Sequence, residues 1–363
     1  MTLAARWLRT EIADLEPYTP ILPLDVLARR LGLPVERLVK LDANENPYGP
    51  SPAALTALTS EHHYHIYPDP GHTALRQALA RYTGQPAEAL VCGAGADELI
   101  DMILRLCLNP GDAVIDCQPT FGMYRFDTQV CGGRVITVPR RAAFELDLDA
   151  IEAAAATSQA KVLFLTSPNN PTGNLLAPDE LERLLRLPLL VVVDEAYIEF
   201  AGVGQGFAEW VARYENLVIL RTFSKWAGLA GLRVGYALVP GWLAEHLWKI
   251  KQPYNVSVAA QAAAVASLED RQLLLERVAR LVNERERLLP LLAEVFWLHP
   301  QPSAANFILC RVEGRSAREV KTTLEQQGIL VRYYHTSLLR DYIRISIGTP
   351  AQSEILLEAL HRL

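Results

Sequence analysis

A chain of 363 residues is longer than most single hydrophobic cores can fill and suits about two domains. Half of its residues are hydrophobic, as in an ordinary globular protein, and a net charge of −6 without a basic patch argues against nucleic acid as a partner. Five cysteines, odd in number and without a Cys-x-x-Cys pair, read as reduced core thiols of a cytoplasmic protein. No run approaches the roughly 18 apolar residues of a membrane span, and Arg6 and Arg9, followed at once by Glu11, Asp14 and Glu16, are unlike a signal peptide.

The first 40 residues, with Pro17, Pro20, Pro23 and Pro34, predict an arm plus a short helix. Short apolar, β-branched runs follow at 90–92, 113–116, 134–138, 162–166, 189–194, 217–221 and 234–239, separated by helix-length segments. Strands so uniformly apolar predict a parallel or mixed α/β sheet covered on both faces, with these seven runs to supply it. Polar signatures recur just after the strands, at 93–98, 167–173, 194–197 and 222–225, the edge at which open α/β sheets bind ligands. After about residue 254 a charged helical region at 261–294 leads to a strand, a helix and two more strands ending at Gly348, a smaller α+β unit. The expected division is a large domain at 45–255, with 1–44 and 256–363 as arm and small domain.

Four segments carry chemistry. In Thr222-Phe-Ser-Lys225 a lysine follows a buried strand, where it either reaches solvent or serves as an activated amine. Ser224 and Arg233 nearby supply the donors a phosphate monoester needs. Asp194 ends an all-apolar strand and must be paired, as a helix cap or by a protonated ring nitrogen; Tyr197 lies three residues on. Ser167-Pro-Asn-Asn-Pro-Thr-Gly173 is a rigid turn whose amides can hold a ligand oxygen or close an Asx turn. Gly93-Ala-Gly-Ala-Asp-Glu98 opens an amphipathic helix whose amino end can cradle phosphate; Glu98 stands where a dinucleotide fingerprint needs its third glycine.

In order and spacing these segments resemble the fold type I pyridoxal-phosphate (PLP) aminotransferases across nearly the whole chain, which implies a mostly parallel seven-stranded sheet covered by helices. Asn44-Glu-Asn-Pro47, Tyr67-Pro-Asp69, Gly95-Ala-Asp-Glu98, the 167–173 turn, Asp194-Glu-Ala-Tyr-Ile-Glu-Phe200 and Arg344-Ile-Ser-Ile-Gly-Thr349 are similar to the histidinol-phosphate aminotransferase family. The resemblance implies Lys225 as the Schiff-base lysine, Asp194 at the pyridine nitrogen, and Tyr197 and Asn170 at the ring oxygen. It further implies Ala96, Asp97, Ser224 and Arg233 at the cofactor phosphate, with Tyr67 reaching the cofactor of the other subunit of a homodimer. Phe121 stands where the family often stacks a tyrosine on the ring, so stacking survives and a hydroxyl contact does not.

For the substrates, histidinol phosphate and glutamate or 2-oxoglutarate, the resemblance points to Tyr18, Asn170, Arg332 and Arg344, guanidinium being suited to carboxylate and phosphate. Arg332 is also readable as a surface ion pair. Histidines 62, 63, 65 and 72 fit no metal-ligand spacing and are expected in a solvated loop. Two enzymes of the same fold, a threonine-phosphate decarboxylase and an aromatic aminotransferase, remain as alternatives, as does a PLP-sensing domain without turnover.

Overall fold

The computed structural model describes residues 7–13, 15–16, 22–202 and 204–363, so Tyr18 lies outside the described residues. Twelve strands occur among them. In chain order they are β1 (Val39–Leu41), β2 (Leu90–Gly93), β3 (Ala113–Asp116), β4 (Arg134–Thr137), β5 (Val162–Thr166) and β6 (Leu190–Asp194). β7 (Leu217–Thr222), β8 (Gly235–Leu238), β9 (Leu298–Pro300), β10 (Phe307–Val312), β11 (Ile329–Tyr333) and β12 (Tyr342–Ser346) follow.

All seven expected strands form one sheet in the order β2-β8-β7-β6-β5-β3-β4. Strands β3 to β7 run parallel, and β8 is antiparallel to both neighbours. The uninterrupted apolar runs reflect burial on both faces: along β6, Val191 and Val193 enter one core and Leu190 and Val192 the other. Chain direction reverses across the sheet at β3, since β4 lies on one side of it and β5 on the other. Loops after β3 and β5 therefore diverge and leave a crevice at the carboxyl edge.

A second sheet of five strands has the order β1-β11-β12-β10-β9. This second sheet and its helices differ from the expectation in several places. β1 comes from the supposed arm and pairs in parallel with β11, and β9 is a further short strand. The helical region is two helices, Val258–Glu269 and Arg271–Ala293, broken at Asp270. Arg332 sits within β11, directly opposite Arg344 of β12 in the antiparallel register. Cys92, Cys117 and Cys310 are buried free thiols as expected, whereas Cys107 and Cys131 are only half-buried.

Candidate active site

The carboxyl edge of the large sheet gathers the expected residues around Lys225. β7 ends at Thr222, and three residues later the half-buried Lys225 donates from Nζ to the Ala43 carbonyl at 3.2 Å. Burial, and then the charge of Arg344, lower the pKa of its amine to about 8, so a reactive neutral fraction exists near neutrality.

On one side of Lys225 lies a cavity of about 180 Å³ lined by Ala96, Asp97, Thr222, Ser224 and Arg233 at one end and by Phe121, Asn170, Asp194 and Tyr197 at the other. The first group is an anion cradle. Ala96 opens the helix Ala96–Cys107 with its free amides, and Gly95 before it has φ +83 and ψ 174, a region only glycine occupies readily. Arg233 bridges the cradle, donating to Ser224 Oγ at 3.3 Å and to Asp97 Oδ2 at 2.8 Å. The carboxylate of Asp97 is thus spent on Arg233, which leaves its backbone amide to face an anion.

At the other end Asp194 is 4% exposed and accepts from the Ala196 amide at 3.0 Å and the Tyr124 hydroxyl at 2.7 Å. Burial raises its carboxyl pKa to about 6, against those two donors. The Tyr197 hydroxyl accepts from Asn44 Nδ2 at 3.1 Å and Asn170 Nδ2 at 3.4 Å, while the phenol pKa is raised by burial. A ring bearing a phosphate at one end, a basic nitrogen at the other and an oxygen between them fits these donors and acceptors. Asn44 and Tyr124 are functional neighbours that the sequence does not single out, because their contacts span 153 and 70 residues.

On the other side of Lys225 a cavity of about 370 Å³ shares Asn170, Phe121 and Tyr197 with the first and adds Arg332, Tyr334 and Arg344. Arg344 is 6% exposed and donates to Asn170 Oδ1 and to the Asp42 carbonyl, each at 2.7 Å; its buried Nε has no partner. Tyr67 lines neither cavity: it is 78% exposed and stacks on Tyr254 with centroids 4.5 Å apart. Of the histidines, His62, His63 and His65 are exposed, but His72 is fully buried, contrary to expectation, because it opens the helix Thr73–Thr83 beneath Trp248. No group of three His, Cys, Asp or Glu among the described residues is placed to hold a metal ion. A larger groove of about 810 Å³ lies at the opposite, amino edge of the sheet beside Lys161, Asn216 and Trp242, away from this chemistry.

The family model described as aminotransferase class I and II matches residues 36–360. The chain belongs to this family. Within it the sequence is 56% identical to a histidinol-phosphate aminotransferase of Roseiflexus castenholzii, over 97% of each chain. It is 49% identical to histidinol-phosphate aminotransferase 1, chloroplastic, of Arabidopsis thaliana, over 99% of this chain and 86% of the other. A crystal structure of the histidinol-phosphate aminotransferase of Sinorhizobium meliloti in complex with pyridoxal-5'-phosphate matches with TM-score 0.89 at 30% identity, over 98% of each chain. The aminotransferase fold and the seven-stranded sheet are therefore shared along the whole length.

Proposed function

We propose that the protein interconverts histidinol phosphate plus 2-oxoglutarate with imidazole-acetol phosphate plus glutamate, a step of histidine biosynthesis, using pyridoxal phosphate held on Lys225. One observation carries the substrate reading: Arg332 and Arg344 face each other across β11 and β12 and both line the outer cavity. Like charges directly opposite on a sheet are destabilising, so the pair is explained by an anion between them. A substrate carrying phosphate on one turn of the cycle and carboxylate on the next supplies it.

When bound, pyridoxal phosphate supplies an aldehyde carbon for the substrate amine and a protonated pyridine that withdraws the electrons left by the departing α-proton. The chain's own residues then have distinct tasks. Arg233, Ser224, Thr222 and the Ala96 and Asp97 amides hold the phosphate. Asp194 receives the ring N–H, Tyr197 and Asn170 hold the ring oxygen, and Phe121 covers the ring face. Once freed by the incoming amine, Lys225 moves the α-proton as general base, its lowered pKa favouring the neutral amine. Arg344, fixed by Asn170 and the Asp42 carbonyl, orients the anionic substrate group, with Arg332 reaching its far end.

The enzyme works as a cytoplasmic homodimer with two domains per chain, 45–255 and 1–44 with 256–363. The two sheets support the division. The exposed Tyr64, Ile66 and Tyr67 support a surface covered by a second copy, which carries Tyr67 to the partner's cofactor phosphate. Free thiols at all five cysteines support a reducing compartment. The test is incubation of purified protein with histidinol phosphate and 2-oxoglutarate: glutamate should form, and none should form with Lys225→Ala. Release of carbon dioxide from threonine phosphate without glutamate formation from histidinol phosphate would refute the reading.

A further inference from the structure

Tyr124 lies within the helix Met123–Val130, fully buried, its ring stacked on Phe164 of β5 at 4.6 Å and 4°. It lines neither the cofactor cavity nor the outer one. Its hydroxyl sits between Asp194 Oδ2 at 2.7 Å and Thr166 Oγ1 at 2.8 Å. A phenol has one proton, and the direction of the neighbouring bonds decides where it goes. Thr120 gives its proton to Asn169 Oδ1 at 2.8 Å, and Thr166 can give its own to the phenol oxygen at 2.8 Å, which frees the phenol proton for the carboxylate. Between a neutral hydroxyl and a carboxylate, the charged acceptor makes the stronger bond. The phenol proton therefore points at Asp194.

We infer that Tyr124 is a positioning residue which, through its hydroxyl, holds the Asp194 carboxylate ionised and oriented toward the ring nitrogen. The inference rests on the PLP reading of the site. The need for such a donor follows from the surroundings of Asp194. The groups facing it are the Tyr197 phenol, the carboxyls of Asp97 and Glu195, Thr166, the Ala196 amide and Tyr124. Burial and the two acidic neighbours favour the protonated acid, and only Tyr124 and the Ala196 amide oppose them at the carboxylate itself. A protonated Asp194 cannot keep a pyridine nitrogen charged. The Ala196 amide occupies Oδ1 and Tyr124 Oδ2, which fixes the carboxylate plane and leaves one lone pair on each oxygen for the ring N–H. Tyr124 stays neutral throughout, since burial first and the Asp194 charge next push its own pKa well above the usual phenol value.

The substitution Tyr124→Phe removes one oxygen and keeps the ring that stacks on Phe164. The readout is the ¹⁵N chemical shift of ring-labelled pyridoxal phosphate bound to Lys225, followed against pH in the holoenzyme. A bond to a charged group is typically worth enough to move a pKa by about one to two units. In Tyr124→Phe the Asp194 carboxylate should become more basic by that amount, so that near neutral pH the shared proton moves from the ring nitrogen toward Asp194 and the ¹⁵N shift moves toward the unprotonated-pyridine value. Phe164→Leu, which loosens the stack and keeps the hydroxyl, should lower the melting temperature and leave the ¹⁵N titration in place. Superimposed titrations of wild type and Tyr124→Phe would overturn the inference, as would an equal displacement in Phe164→Leu. A wild-type protein that binds no cofactor, seen as a missing absorbance band, would instead remove the reading of the site on which the inference stands.

Discussion

Replacing Arg344 by Gln tests the anion site and the lysine together. Gln can still donate one neutral hydrogen bond where the arginine now donates to Asn170 and the Asp42 carbonyl, but the charge and the unpartnered Nε are gone. Loss of a charge-assisted hydrogen bond typically costs about 1.5–3 kcal/mol, which is roughly 10- to 150-fold in kcat/KM for each half-reaction. Because the group must serve phosphate and carboxylate in turn, both half-reactions should fall by similar factors. Arg332→Gln should instead weigh on the histidinol phosphate half-reaction, since only Arg344 contacts Asn170 beside the ring. A second effect separates this from general damage. The Arg344 charge is the second cause, after burial, of the lowered Lys225 pKa, so removing it should raise that pKa from about 8. Capture of pyridoxal phosphate by the apoenzyme needs the neutral amine, and its rate should therefore rise through a higher pH in the variant. Single-turnover spectra with each substrate and the pH profile of cofactor capture measure the two effects. Arg344→Gln protein that reacts normally with both substrates, or captures cofactor with an unshifted pH profile, would refute the reasoning.

Gly95→Ala forces a side chain into a backbone region reserved for glycine, and its Cβ runs into the Arg233 guanidinium. Strain of about 1–3 kcal/mol should weaken cofactor binding by roughly 5- to 150-fold, read by titrating apoenzyme fluorescence with pyridoxal phosphate. Glu195 is fully buried and holds Arg221 through two contacts at 2.8 and 2.7 Å, so Arg221→Met should destabilise by about 3–5 kcal/mol. In urea unfolding, adding Glu195→Gln should cost less than the sum of the single changes, and strict additivity would deny the coupling. His72, buried with neither ring nitrogen hydrogen-bonded, has its pKa lowered to about 4, by burial first and the Lys251 charge next. The unfolded chain takes up this proton near pH 6.5 and the folded chain does not. Stability is thus fully present above pH 6.5 and falls by roughly 3 kcal/mol as pH drops toward 4. His72→Phe should flatten the acid side of the melting-temperature profile, and an unchanged slope would count against the account.

The sheet was legible in the sequence because its strands are buried on both faces, which turns them into apolar runs with sharp polar ends. Runs at 113–116 and 162–166 coincide with β3 and β5, and the other five differ by one residue at an end or at both. β1 was not legible: Val39–Leu41 is three residues long, follows a proline-rich stretch, and owes its pairing to β11 far along the chain. Nor did charge pattern reveal the break at Asp270, a single residue whose backbone (φ −95, ψ 22) departs from the helix between two well-packed segments. At the site, Lys225, Asp194 and Asn170 announced themselves at or just after strand ends, and Arg233 by lying eight residues beyond Lys225. Tyr124 did not, since its contact with Asp194 spans 70 residues and in sequence it is one more aromatic on a helix. His72 misled for a related reason: a histidine-rich loop looks solvated until the helix it caps turns one ring inward.

The pairing of β1 with β11 also sets an order of assembly on the ribosome. Val39 pairs with Ile329, 290 residues later, and at typical rates of about 5–20 residues per second it waits for its partner for about 15–60 s. All seven strands of the large sheet, and every residue of the phosphate cradle, lie before Val239, and the helix Gly241–Ile250 that packs on one face follows directly. A nascent chain can therefore form the cradle and present Lys225 while Ala43, whose carbonyl receives the lysine amine, is still unanchored and Arg332 and Arg344 have yet to be made. The residues of the cradle thus leave the ribosome well before Arg332 and Arg344, the arginines that line the outer cavity.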